Sequence, residues 1–405
     1  MPRRSRLIPL ALVAAALTSA VATGGAAAAR GPVALDPLFG TGGVVSSGTI
    51  MPGFHQAGGL AVTRGGDILL ASSGQGGVTL ARFLPDGDLD SGYAAAVGVL
   101  RLPSLSAADD VVARDDEGAY LLSEGTTVTR VGPSGLLVAG FGAGGSVNVP
   151  ALDPRFSSLH FWSLAALPDG GVLVAGIRFG SPRMVVVQLR PDGTPDPEFG
   201  DDGLATVPIA GRGSGAFTVA VQASGRIVLG GYALGRPALA RLFADGRPDR
   251  SFGEDGVVLA PKWLRGRVTA LSLRPHGGVV IVGPGFVRQH KGNGVFLLRY
   301  GRTGARDRGF GPAGLVTQLP RYATPTAVAF VRDRILLSVT GPEPALQLYT
   351  KRGRPLPPLA GVAGIPSRRF VGVHAVAQGG KLLFTWTPEH RPGRGEIRLE
   401  RFLVR

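Results

Sequence analysis

Short apolar runs alternating with polar positions dominate this chain, and their period is two. "FTVAVQ" (217–222), "RIVLGG" (226–231) and "ALARLF" (238–243) follow one another, divided by glycine-rich turns. Alternation with tight turns predicts antiparallel strands joined as hairpins. No stretch of the repeating units keeps a helical period over ten residues or more, so the chain is expected to be all-β.

The set of strands recurs, and each set meets an acidic, glycine-rich phrase such as "RPDGTPDPEFGDDGLATVP" (190–208). The phrase's aromatic falls at Phe39, Tyr93, Phe141, Phe199, Phe252 and Phe310, with Leu359 as a degenerate seventh. Six positions earlier stand Gly87, Gly135, Gly193, Gly246, Gly304 and Gly353; three earlier stand Asp36, Asp90, Asp196, Asp249 and Asp307. A small residue recurs in the alternating stretch, at Ala61, Ala113, Ala165, Ala220, Ala270, Ala329 and Ala375. Each unit therefore reads as four strands: A the alternating stretch, B the apolar run, C the "ALARL" segment, D the strand after the phrase. Seven such units predict a seven-bladed β-propeller of four-stranded antiparallel blades, with the alanines at the crowded axis.

The two ends fit that ring. "LDPLFGTGGVVSS" supplies a strand D with no A, B or C before it, and "EIRLERFLVR" a strand C with no D after it. An N-terminal strand near Gly43 to Ser47 is expected to complete the last blade against Glu396 to Val404. The recurring aspartates fit turn positions, where Asp accepts a hydrogen bond from an amide two residues on. Asp86, Asp88 and Asp90 resemble the start of a calcium loop, but Ser91 and Val97 stand where glycine and the closing carboxylate belong. No metal is expected there.

The combination PDG-x-x-D-x-x-FG-x-x-G, with "LPDGGVLVAG" (167–176) and "ALAR", resembles the delta-60 repeat over about residues 35 to 405. That bacterial repeat occurs mainly in secreted or surface proteins and is associated with β-propellers. The resemblance implies fold and compartment and brings no enzymatic motif.

Residues 1–30 read as a separate element. Arg3, Arg4 and Arg6 precede an apolar run from Leu7 to about Leu17 and then small residues, the layout of a secretory signal peptide. Cleavage could follow Ala22 or Ala29, and residues 31–405 are expected to form one propeller domain, secreted, at the cell surface or in the periplasm. The apolar run is short for a membrane span. The chain has no cysteine, which excludes disulfides, zinc-thiolate sites, thiol nucleophiles and a lipoprotein anchor.

Charge adds a functional hint. Residues 31–209 hold 9 Lys+Arg against 18 Asp+Glu, net −9; residues 210–405 hold 30 against 10, net +20. A field that uneven attracts polyanions. Up-down connectivity puts the D–A and B–C loops on one face, and variable loops on a rigid scaffold are where sites concentrate. The candidate ligand-binding residues there are Arg265, Arg267, Arg288, Lys291, Arg368, Arg369, Arg391 and Arg394, with His160 and Trp162. The expectation is a monomeric, secreted, non-catalytic binding module for acidic polymers such as wall polymer or acidic polysaccharide. The alternative is a propeller lyase or hydrolase acting on an acidic glycan, which needs His160, His374 and Asp109 or Asp110 to converge at the channel mouth. No nucleotide or cofactor fingerprint is present, and no cofactor is expected.

Overall fold

The computed structural model describes residues 33–47, 55–209, 213–274, 277–287, 292–311, 315–317, 324–340, 345–356, 370–388 and 397–404. The signal-peptide reading and the degenerate phrase at Leu359 lie outside them. The described strands form seven separate antiparallel sheets, one per repeat. Blade 1 holds His55–Val62, Ile68–Gly74, Gly77–Phe83 and Val99–Leu102. Blade 3 repeats it with Leu159–Ala166, Val172–Arg178, Met184–Leu189 and Leu204–Thr206, and blade 4 with Ser214–Val221, Ile227–Ala233, Arg236–Leu242 and Val257–Leu259. In blade 5 strand A is split into Leu264–Gly266 and Ala270–Leu273. The innermost strands touch one another in sequence around the ring, and Phe370–Gln378 of blade 7 touches His55–Val62 of blade 1. The fold is a closed seven-bladed propeller.

Closure occurs where the two chain ends predict it, through two short strands. Val44–Ser46 pairs with Arg398–Val404 in the register Val44↔Glu400, Val45↔Leu399 and Ser46↔Arg398. Val33–Leu35 pairs with the same strand further along, Val33 opposite Val404. The phrase between them folds back as a turn.

The repeated phrase is a joint between blades. Its six described aromatics are all buried, none more than 1% exposed. Each aspartate's Oδ1 accepts from the amide two residues on, as in Asp90 from Gly92 (2.9 Å), Asp249 from Ser251 (3.1 Å) and Asp307 from Gly309 (2.9 Å). In four of the five the other oxygen takes an arginine from strand C: Arg82 to Asp90, Arg241 to Asp249, Arg299 to Asp307, Arg401 to Asp36; at Asp196 it takes Gln188 instead. Each of these guanidiniums also lies over the phrase's own ring, 4.5 to 4.8 Å from the centroids of Tyr93, Phe252, Phe310 and Phe39. It reaches on to a carbonyl in the next blade's turn, as Arg82 does to Pro133 at 2.6 Å. Glycine six positions before the aromatic is required by that packing. A Cβ on Gly135, at φ +78°, would come within 2.8 Å of the Tyr93 ring in the preceding blade. Asp86, Asp88 and Asp90 thus sit in turns, Asp86 accepting from Asp88 N at 3.1 Å.

Strand A carries an irregularity in every blade. Pairing skips Gly58 in blade 1, Asp109 in blade 2, Trp162 in blade 3, Phe217 in blade 4 and Thr326 in blade 6. It skips from Gly266 to Ala270 in blade 5 and from Val371 to His374 in blade 7. A bulge leaves one residue unpaired and re-aims its side chain. In blades 2, 3, 4 and 6 the residue so freed, near the start of strand A, is Asp109, Trp162, Phe217 and Thr326.

Candidate functional site

The skipped residue differs from blade to blade, and in blades 3 to 5 Trp162, Phe217 and Arg267 belong to a row of rings ending in a cation. Trp162 packs edge-on to His160, ring centroids 4.9 Å apart, and His160 lies 5.7 Å from the exposed Phe179. On the other side Trp162 lies 4.7 Å from Phe217, and Phe217 6.0 Å from Tyr232. The Arg267 guanidinium caps the row, 5.3 Å from the Phe217 centroid. His160, Trp162, Phe217 and Tyr232 are half-buried, so one side of the row faces solvent.

Beyond Phe217 the row opens into a cavity of about 710 Å³ shared by blades 4, 5 and 6. Phe217, Tyr232 and Phe286 supply its apolar walls, and Arg265 and Arg267 its charge. Both arginines are exposed, and neither has a carboxylate within salt-bridge distance among the described residues. Arg265 Nη1 donates to the Leu234 carbonyl at 3.0 Å and lies over Gly235, where an added Cβ would stand 3.4 Å from it. A concave, mainly apolar site with a few fixed polar groups is the ordinary form of a ligand pocket.

His160 is held in place by Gly125. A Cβ at position 125 would come within 2.0 Å of the imidazole. Gly125 N donates to Asp109 Oδ2 at 2.6 Å, so Asp109, Gly125 and His160 form one packed corner. Burial raises the Asp109 carboxyl above its usual range, against the Gly125 amide and the His160 charge, which lower it. Asp110 is pushed up to about 6, first by burial, while amides of Leu164 and Val111 bind its two oxygens. His374 lies elsewhere: its Nε2 is 3.3 Å from the Ala57 carbonyl at the seam of blades 7 and 1, and burial lowers it to about 4. No hydrogen bond among the described residues joins His160, His374, Asp109 and Asp110.

Of the residues singled out from the sequence, His160, Trp162, Arg265 and Arg267 are brought onto one cleft. Arg288, Lys291, Arg368, Arg369, Arg391 and Arg394 lie outside the described residues. Phe179, Phe217, Tyr232 and Phe286 were not foreseen. Phe217 had a signal: it stands three positions before Ala220, as Trp162 stands before Ala165 and Arg267 before Ala270. Much of the basic excess is also spoken for, since Arg226, Arg241, Arg299 and Arg401 serve the joints and Arg236 donates to the Ala260 carbonyl at 2.7 Å.

Two stretches, residues 167–199 and 222–252, match a family described as a domain of unknown function (DUF5122) beta-propeller. Each runs from the A–B turn of one blade to the aromatic of its phrase. No curated protein matches the chain. Among solved structures it is similar to a catalytically inactive virginiamycin B lyase from Staphylococcus aureus with quinupristin, at 11% identity and TM-score 0.55, covering 87% of this chain and 96% of that one. It is also similar to a polysaccharide lyase, at 9% identity and TM-score 0.52, covering 86% and 90%. At such identities the likeness is one of fold alone.

Proposed function

We propose that the chain is a secreted propeller of the delta-60 repeat type whose loop-face cleft binds an acidic carbohydrate polymer without transforming it. The observation that carries the reading is the continuous row Phe179–His160–Trp162–Phe217–Tyr232 ending at Arg267 and the cavity beside it. Ring faces offer flat apolar surface to the C–H faces of sugars. Arg265 and Arg267 offer planar donors to carboxylate or sulfate groups. A row of rings with charge at one end suits an extended ligand that lies along it. Retention of the protein on an immobilised uronic-acid polymer, lost in Trp162→Ala and Arg267→Ala variants that keep the wild-type melting temperature, tests the reading. Equal retention of variant and wild type overturns it.

A propeller enzyme is the second reading; the packed Asp109–Gly125–His160 corner beside the row supports it, while the position of His374 at the seam of blades 7 and 1 speaks against it. In that case His160 is the proton-transfer group, and cleavage of an acidic glycan is lost in a His160→Ala variant.

A further inference from the structure

On the opposite face, at the seam of blades 4 and 5, lies a second cavity of about 580 Å³ walled by guanidinium groups. Arg226, Arg241, Arg274 and Arg302 line it, with Gln222 and Thr303. One carboxylate is bonded within this group, and a second, Asp307, acts on Arg274 from beyond salt-bridge distance while it is bonded to Arg299. Asp249 Oδ2 takes Arg226 at 2.9 Å and Arg241 at 2.8 Å, and its Oδ1 takes the Ser251 amide and hydroxyl. Its acceptor capacity is used. Arg274 and Arg302 have no carboxylate within salt-bridge distance among the described residues; the Arg274 guanidinium lies only over the Phe330 ring, 5.7 Å from its centroid. Arg302 is fixed through its backbone, because its carbonyl accepts from Arg241 Nη1, and its side chain is left at the cavity wall.

The corresponding seam between blades 7 and 1 shows what is unusual here. There Gln378 donates to the Gly66 carbonyl at 2.6 Å, as Gln222 does to Gly277 at 3.1 Å. Lys381 and Arg401 share Asp36 as Arg226 and Arg241 share Asp249. That cavity is left with one surplus cation, Arg64. The blade 4–5 seam keeps the same joint and adds two surplus guanidiniums from the neighbouring blade. Uncompensated positive charge around a solvent-filled hollow lowers the energy of an anion placed there, and several planar donors fit a tetrahedral oxyanion.

We propose that the cavity at the blade 4–5 seam is a binding site for a phosphate or sulfate group, held by Arg274 and Arg302 with help from Arg226. The site is independent of the loop-face cleft. Calorimetric titration of the full chain with inorganic phosphate and with inorganic sulfate, at fixed ionic strength in chloride, tests it. Saturable binding is expected, weakened at least tenfold in Arg274→Gln/Arg302→Gln and unchanged in Arg265→Gln/Arg267→Gln. Glycerol phosphate separates the two sources of the group: binding equal to that of free phosphate marks an ester carried on a larger molecule, and loss of binding marks a free ion. Either result supports the site. No saturable binding by the wild type, or equal binding by Arg274→Gln/Arg302→Gln with an unchanged melting temperature in chloride, overturns it.

Discussion

The guanidinium of Arg401 lies over the ring of Phe39, 4.6 Å from its centroid, so the last strand of the chain clasps the first phrase. The same side chain donates from Nε to Asp36 Oδ2 at 2.8 Å and from Nη1 to the Pro85 carbonyl of blade 1. One residue thus ties the last blade to the N-terminal strand and to the first blade. Ring closure rests on this tie and on the pairing of Val33–Leu35 and Val44–Ser46 with Arg398–Val404.

Removal of residues 33–47 therefore leaves Arg398–Val404 as an open edge and Arg401 without its acid. Chemical denaturation of the truncated chain should show a lower midpoint and a broader transition. Asp36→Ala alone should cost about 3–5 kcal/mol, because it strands a buried guanidinium. A truncated chain as stable as the intact one would mean the ring does not depend on its N-terminal strands.

Two aspartates at the same place in the phrase should respond differently to the same change. Asp196 faces Gln188 at 2.7 Å and the exposed Arg190. Asp249 is 1% exposed and holds Arg226 and Arg241. Asn preserves the turn in both cases, but only at Asp249 does it leave buried positive charge unanswered. Asp196→Asn should cost about 1 kcal/mol or less, and Asp249→Asn several times more. Equal costs would refute the division of labour between the two oxygens. Added calcium should leave the melting temperature of both unchanged.

That difference marks the boundary of what the sequence reveals. Blade number, closure and the turn role of the aspartates are legible because they rest on local periodicity and spacing. The joint is not, because the aromatic of one phrase packs beneath the glycine turn of the next blade, and nothing in a single repeat states that pairing. The cleft was half legible. Trp162 and Arg267 stand out in the sequence as unusual side chains read into the D–A loops. His160 and Trp162 in fact lie in strand Leu159–Ala166 and Arg265 in Leu264–Gly266, because strand A begins earlier than the alternation shows. Phe217 reads as an ordinary strand residue, and only the pairing shows that it is skipped. The net charge overstates the binding surface for the same reason, since an arginine committed to a joint counts the same in a sequence as a free one.

Buried titratable groups make stability depend on pH in opposite directions. Burial first, against a hydrogen bond from Trp386 at 3.1 Å, pushes Glu400 in the closing strand up to about 6. The folded state then holds a proton that the unfolded chain releases near its ordinary value of 4.5. Glu400 should therefore cost stability as pH rises from about 4.5 to about 6, by about 2 kcal/mol at about 1.4 kcal/mol per unit. His374, lowered to about 4 from 6.5, acts oppositely: the unfolded chain takes up its proton first, so stability grows as pH rises through that window. Comparing Glu400→Gln with wild type at pH 4.5 and pH 7 isolates the first effect. The variant should gain on the wild type at the higher pH, and parallel curves would show that Glu400 is not desolvated as described.

The two kinds of group in the loop-face cleft should separate in a salt titration. If Arg265 and Arg267 each contact an anionic group of a polymer, each contact releases counterions, and log affinity falls linearly with log salt. Replacing both with Gln should weaken binding at low salt and make that slope shallower. Trp162→Ala acts otherwise, because Trp162 offers ring surface to the polymer and no charge, and its packing holds Phe217 and His160 in the row. Its loss should lower affinity about tenfold at every salt concentration, the worth of about 1–1.5 kcal/mol of ring contact, and leave the slope unchanged. Gly125→Ala should resemble Trp162→Ala in a milder form, since its methyl group displaces the imidazole that packs against the indole. A slope that stays the same in Arg265→Gln/Arg267→Gln would mean that the arginines are a solvated rim, and that the polymer, if bound, is held elsewhere on the ring.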